Sequence, residues 1–166
     1  MIEEKVHSKV GASSSERWMS CPGSVRMCEG RPGRSTEYTA EGTAAHHVAE
    51  RCLKENKGAL DFFGDTIEVD DFEFEVDETM VEHVQLYVDT IRADAKEMGD
   101  ATLEVERGFH LKSYHPDLFG TNDANLYSAS VLRVYDFKYG AGKPVEVANN
   151  PQLKIYALGA LETCPA

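Results

Sequence analysis

Apolar residues recur three and four positions apart in two long stretches of the chain. In the first, Ala45, Val48, Ala49, Cys52 and Leu53 form one stripe, which predicts a helix from Thr39 to about Asn56 with a single buried face. Thr39 is read as its cap, and Gly58 lies past its end. In the second, Met80, Val84, Tyr87, Val88 and Ile91 repeat the period. Asp77 is placed to cap that helix, and Gly99 to end it. Between the two, residues 59–76 alternate apolar and acidic side chains, as in Ile67-Glu68-Val69 and Phe72-Glu73-Phe74-Glu75-Val76. That pattern predicts a peripheral extended segment, with an edge strand as its simplest form.

The ends of the chain follow different rules. Residues 1–12 carry no period and are read as a loose terminus. Ser13-Ser14-Ser15-Glu16 supplies capping hydroxyls and a first-turn acid for a short helix through Trp18, broken at Cys21-Pro22-Gly23. A short turn through Val25 and Met27 leads to a Gly- and Pro-rich basic loop over residues 29–34. From Thr102 the period changes to two. Thr102-Leu103-Glu104-Val105-Glu106 alternates and is expected to continue to Leu111; Tyr114–Asp117 is a turn, and Gly120–Tyr127 is a second strand. Ser128-Ala129-Ser130 is short enough to join it antiparallel to a third strand, Val131 to Gly140. On such a strand Asp136 and Lys138 share one side, and Phe137 takes the other. Gly140-Ala141-Gly142 ends it, and Pro151 opens a final helix through Leu153, Tyr156, Ala157 and Ala160. Helices, three strands and a helix fit an α/β fold with a central mixed sheet flanked by helices.

At 166 residues the chain is read as one domain, 1–166, with a core at about 13–161. A net charge of -12 argues against broad nucleic-acid binding through a basic surface. It leaves room for a site where a cation offsets carboxylate charge near a phosphate. The acidic excess is concentrated between Asp61 and Glu82, which hold no Lys or Arg. A solvated face is the plain reading of that run. Cys21, Cys28, Cys52 and Cys164 show no Cys-x-x-Cys spacing. With neither a leader-like start nor a membrane-length apolar run, a cytoplasmic protein with reduced thiols is expected.

Four short patterns occur in order: Gly42-x-x-x-His46, Gly120-x-x-Asp123, Asp136-x-Lys138 and Gln152-x-x-x-Tyr156. Hydrolysis of a phosphodiester needs charge stabilisation at the phosphoryl oxygens and an activated water. Mg2+ or Mn2+ can supply both and favours carboxylate oxygens, while an imidazole ligand tilts the choice towards Mn2+. Asp123 and Asp136 on neighbouring strands can bracket one cation, with Lys138 to orient water or neutralise charge. Together the patterns resemble the RecB-type branch of the PD-(D/E)XK nucleases, which includes phage exonucleases and CRISPR-associated adaptation nucleases. Asp136-Phe137-Lys138-Tyr139-Gly140 and Asn150-Pro151-Gln152-Leu153-Lys154-Ile155-Tyr156-Ala157 resemble the phage exonuclease-like subgroup. The likeness runs from about Ser13 to Leu161.

That resemblance implies a restriction-endonuclease-like core. It implies metal ligation by His46, Asp123, Asp136 and the main-chain carbonyl of Phe137, with Lys138 as the catalytic lysine. Gln152 and Tyr156 would face the site and position DNA or the lysine. It further implies an Mg2+- or Mn2+-dependent deoxyribonuclease, an exonuclease rather than an endonuclease, in phage or prophage recombination or DNA processing. Its partners would be linear duplex or single-stranded DNA ends and a single-strand annealing or binding protein, with no membrane and with homo-oligomerisation open. Some relatives hold an iron–sulfur cluster with four cysteines; only Cys164 follows the core here, so none is expected. The chain stops where many relatives continue, which raises a missing C-terminal extension.

Plainer readings compete at each position. His46 can be an ordinary helix histidine, as His47 beside it suggests. Asp123 can serve a turn, Asp136 and Lys138 a surface ion pair, Tyr156 the core, and Gln152 an exposed helix face. Glu104 and Glu106 precede Asp123, and one of them is a further candidate to face the site. The alternative function is a noncatalytic nuclease fold that binds DNA or protein, as an inhibitor or decoy. An acidic DNA mimic is a third.

Overall fold

The structure, a computed structural model, describes residues 8–30, 35–140 and 145–163. The expectations for residues 1–7, for the basic loop at 31–34, for Ala141 and Gly142 and for Cys164 fall outside the described residues. In chain order the elements are helices α1 (Ser15–Ser20), α2 (Gly23–Cys28) and α3 (Glu37–Lys54), strands β1 (Thr66–Val69) and β2 (Phe72–Glu75), helix α4 (Glu78–Met98), strands β3 (Thr102–His110), β4 (Phe119–Tyr127) and β5 (Leu132–Tyr135), and helix α5 (Pro151–Thr163). The fold is mixed α/β. Among the described residues, no helix is long and apolar enough to cross a membrane. The chain divides into two compact units that interleave in sequence. Of the described residues, 35–101 and 137–140 form the first, and 8–30, 102–136 and 145–163 form the second.

In the first unit α3 packs on α4 and on the β1–β2 pair. The expected stripes are buried, Ala45, Val48, Ala49, Cys52 and Leu53 on α3 and Met80, Val84, Val88 and Ile91 on α4, except that Tyr87 is half-buried. The cap of α3 is Thr36, not Thr39. Thr36 Oγ1 accepts from the Thr39 N–H at 3.3 Å, and the Thr36 N–H donates to Thr39 Oγ1 at 2.8 Å. Two threonines three apart close a reciprocal box, and the outer one is the cap. Asp77 does cap α4, with Oδ1 accepting from the Met80 N–H at 2.8 Å. Gly99 closes that helix at a positive φ of 76°.

The segment between these helices is not one edge strand. A single turn of tight helix at Ala59–Phe62 is followed by a hairpin in which Thr66↔Glu75 and Val69↔Phe72 pair antiparallel. Asp70 turns the chain at a φ of 52°. An aspartate tolerates that conformation better than most side chains, so a run of alternating residues folds back on itself.

In the second unit β3, β4 and β5 form an antiparallel sheet in that order. The expected mixed sheet is therefore not what the described strands make. Short connections join consecutive strands, and only a long crossover would permit a parallel pair. Helix α5 packs on all three strands, and α1 packs on α5. Phe109 lies at the centre of this packing. A Cβ on Gly159 would come within 2.4 Å of its ring, and one on Gly120 within 3.0 Å. The two glycines thus leave room for one aromatic ring between β4 and α5. The serines before α1 also differ from expectation: Ser14 makes no side-chain cap, and its Oγ donates instead to the Gly11 carbonyl at 3.2 Å.

Candidate active site

The largest correction concerns the third strand. It ends at Tyr135, so Asp136, Phe137 and Lys138 lie beyond it in irregular chain. The strict alternation that would place Asp136 and Lys138 on one side does not apply there. Asp136 directly follows Tyr135, which pairs with Ala124 in the last pair of the ladder, and Asp123 directly precedes Ala124 on β4. On the other side of β4 the β3 ladder pairs Val105 with Ala124 and Arg107 with Asn122. The position across from Asp123 is Glu106, where pairing is interrupted and the backbone takes a φ of 55°. That conformation is uncommon for a side chain such as glutamate. The charges of Asp136, Asp123 and Glu106 all act on one group, the Tyr156 hydroxyl.

Helix α5 brings two more groups to Asp136. Asn150 Oδ1 accepts from the Leu153 N–H at 3.2 Å at the start of the helix, and Pro151 is its first residue, as the sequence indicates. One turn apart, Gln152 and Tyr156 then share a face. Gln152 Nε2 donates to Asp136 Oδ1 at 3.0 Å and to the Tyr156 hydroxyl oxygen at 3.1 Å. The Tyr156 ring is buried against Phe109, with centroids 5.9 Å apart. Burial pushes the Tyr156 hydroxyl up to about 12; the hydrogen bond from Gln152 lowers it, and the charges of Asp136, Asp123 and Glu106 raise it further. Tyr156 is thus both core and part of the site, which joins two readings that the sequence keeps apart.

Asn122 Nδ2 donates to the Tyr156 carbonyl at 3.1 Å and to Asn125 Oδ1 at 3.0 Å. Both asparagines are buried. They tie β4 to the helix that carries Gln152 and Tyr156, and the four ordered patterns do not single them out. The available signal was compositional, since asparagine is depleted in strands and two occur here within four residues. For the interruption of the ladder at Glu106 no signal existed, because strand pairing depends on a partner distant in sequence.

The remaining candidates belong to the first unit. His46 lies half-buried on α3, and its Nδ1 contacts the Gly42 carbonyl at 2.7 Å. A carbonyl only accepts, so Nδ1 carries a proton in this contact. His83 makes the same contact to Thr79 at 2.7 Å, so the geometry is also a common habit of helix histidines. The His46 ring lies 5.2 Å from Phe137, which is buried and stacks at 4.8 Å on Tyr87. A Cβ on Gly42 would sit 3.8 Å from the Tyr139 carbonyl, an ordinary contact. What approaches the α3 backbone beside His46 is therefore main chain of this unit. Lys138 is exposed.

Among the described residues, no three His, Cys, Asp or Glu side chains are gathered as a metal would hold them. The oxygen donors of Glu106, Asp123 and Asp136 are nonetheless of the kind that hard divalent cations take. The chain belongs to the family DUF2800, described as a protein of unknown function, whose profile matches residues 7–166. No solved structure matches it.

Proposed function

We propose that this DUF2800 chain is a divalent-cation-dependent deoxyribonuclease with a restriction-endonuclease-like core, acting as an exonuclease on DNA ends. One observation supports the reading: Gln152 bonds Asp136 and Tyr156 together, and the charges of Asp136 and Asp123 both act on the Tyr156 hydroxyl. Those four residues are among the ones that the nuclease resemblance singles out. Glu106 adds a third carboxylate whose charge acts on the Tyr156 hydroxyl.

Asp123, Asp136 and Glu106 would hold Mg2+ or Mn2+, which when bound polarises the phosphoryl oxygens and lowers the pKa of a bound water. The chain's own groups supply orientation. Gln152 fixes the Asp136 carboxylate through the 3.0 Å hydrogen bond. The Tyr156 oxygen accepts from Gln152 and stays protonated at neutral pH. Its own O–H is thus available to donate to a phosphate oxygen. The resemblance also implies roles for His46, the Phe137 carbonyl and Lys138, which belong to the first unit.

The test is digestion of linear duplex and single-stranded DNA by purified protein with MgCl2 or MnCl2. Activity is expected with at least one metal, with loss of about 100-fold or more in Asp136→Asn and Asp123→Asn. Intact DNA under every condition, from a folded protein, would overturn the proposal in favour of a noncatalytic binding module.

A further inference from the structure

The first unit carries a surface feature that does not depend on the proposed hydrolysis. The turn at Ala59–Phe62 is pinned on several sides. The Ala59 N–H donates to Gln85 Oε1 of α4 at 2.7 Å, and Asp61 Oδ2 accepts from the Gly58 N–H at 2.9 Å. Phe62 is buried under the Arg51 guanidinium, 4.2 Å from the ring centroid. The Gly64 N–H donates to the Val76 carbonyl at 3.0 Å. A turn held this way cannot swing its other side chains inward. Leu60 remains 72% exposed and Phe63 51% exposed.

These two side chains and Val81 line a cleft of about 290 Å3, with Glu78 and Glu82 at its edge. Leu86, also exposed, follows Glu82 one turn along α4. Large apolar groups held in water beside a cleft mark an interaction surface, and a rigid turn lowers the entropy lost on binding.

Charge selects the occupant. Residues 61–82 hold ten Asp and Glu, all exposed, and no Lys or Arg. Neither Glu78 nor Glu82 has a cationic partner among the described residues. Such a rim repels nucleic acid and anionic lipid. It also repels a second copy of a chain whose net charge is -12. We infer that the cleft docks a basic segment of another protein, one that presents an apolar side chain flanked by Lys or Arg. The apolar anchor fills the cleft, and the cations meet Glu78 and Glu82.

The probe is a fluorescein-labelled amphipathic peptide of about fourteen residues with a Leu/Phe stripe flanked by lysines, titrated with the full chain. One control replaces its lysines with glutamates, and a second replaces its apolar stripe with serines. The basic peptide is expected to bind saturably, about tenfold or more tighter than either control, and to weaken as salt rises. Two variants are each expected to weaken it about tenfold: Leu60→Ser with Phe63→Ser, and Glu78→Gln with Glu82→Gln. All four positions are exposed, so unchanged thermal unfolding verifies that the variants fold. Equal binding of the acidic peptide, no binding of the basic one, or indifference to both variants would overturn the proposal. So would self-association in sedimentation that Leu60→Ser with Phe63→Ser abolishes, since the occupant would then be a second copy.

Discussion

Gln152 and Asp136 are joined by a 3.0 Å hydrogen bond between the first turn of α5 and the chain just past β5. The same amide nitrogen reaches the Tyr156 hydroxyl at 3.1 Å. One side chain therefore orients both a carboxylate and a phenol. In Gln152→Leu, DNA digestion with Mn2+ is expected to fall by about tenfold or more, while thermal stability changes by no more than about 1 kcal/mol. Matched digestion assays and circular dichroism melts check both halves. Wild-type digestion in that variant would remove Gln152 from the site.

Gly159 is where the second unit has least room. An alanine there would press its methyl within 2.4 Å of the Phe109 ring, whereas one at Gly120 would meet the ring at 3.0 Å. Overpacking of this kind costs about 1–3 kcal/mol. Gly159→Ala is expected to reach the upper part of that range and Gly120→Ala the lower. Phe109→Leu should restore part of the loss in the Gly159→Ala background. Urea unfolding of the single and double variants measures this.

At the other end of the chain's stability, Thr36 and Thr39 cap α3 reciprocally. Thr36→Ala is expected to cost about 1 kcal/mol. Thr36→Ser should cost less, because a serine oxygen can accept the same bond. Equilibrium unfolding of both variants tests whether the cap is Thr36.

Two buried groups make stability depend on alkaline pH. Burial holds the Cys52 thiol at about 11, against an ordinary 9.0, and the Tyr156 hydroxyl at about 12, against 10.0. Both acids lose their protons in the unfolded chain before they do so in the folded one. Over that interval the unfolded state binds fewer protons, so stability falls as pH rises. The decline begins near the ordinary value of Cys52 and continues towards the folded value of Tyr156. Tyr156→Phe should make the upper part of the decline shallower, as read from urea midpoints across that range. In the native protein at mildly alkaline pH, thiol reagents are expected to label exposed Cys21 and Cys28 and to spare buried Cys52.

The amino-acid sequence by itself determined most of the local structure. The spacing of Ala45, Val48, Ala49, Cys52 and Leu53 fixed a helix and its buried face, because helical period is a property of consecutive residues. Asp77 and Pro151 opened the helices they were expected to open, since capping and missing-donor effects act within one turn. Only the tertiary structure decided where β5 stops, that the β3 ladder is interrupted at Glu106, and that Gly120 makes space for Phe109. Each of these depends on a neighbour distant in sequence: a ladder partner, an interrupted pair, a ring from another strand. Local pattern encodes which way a chain segment wants to run; it carries no record of which residues another segment will set beside it.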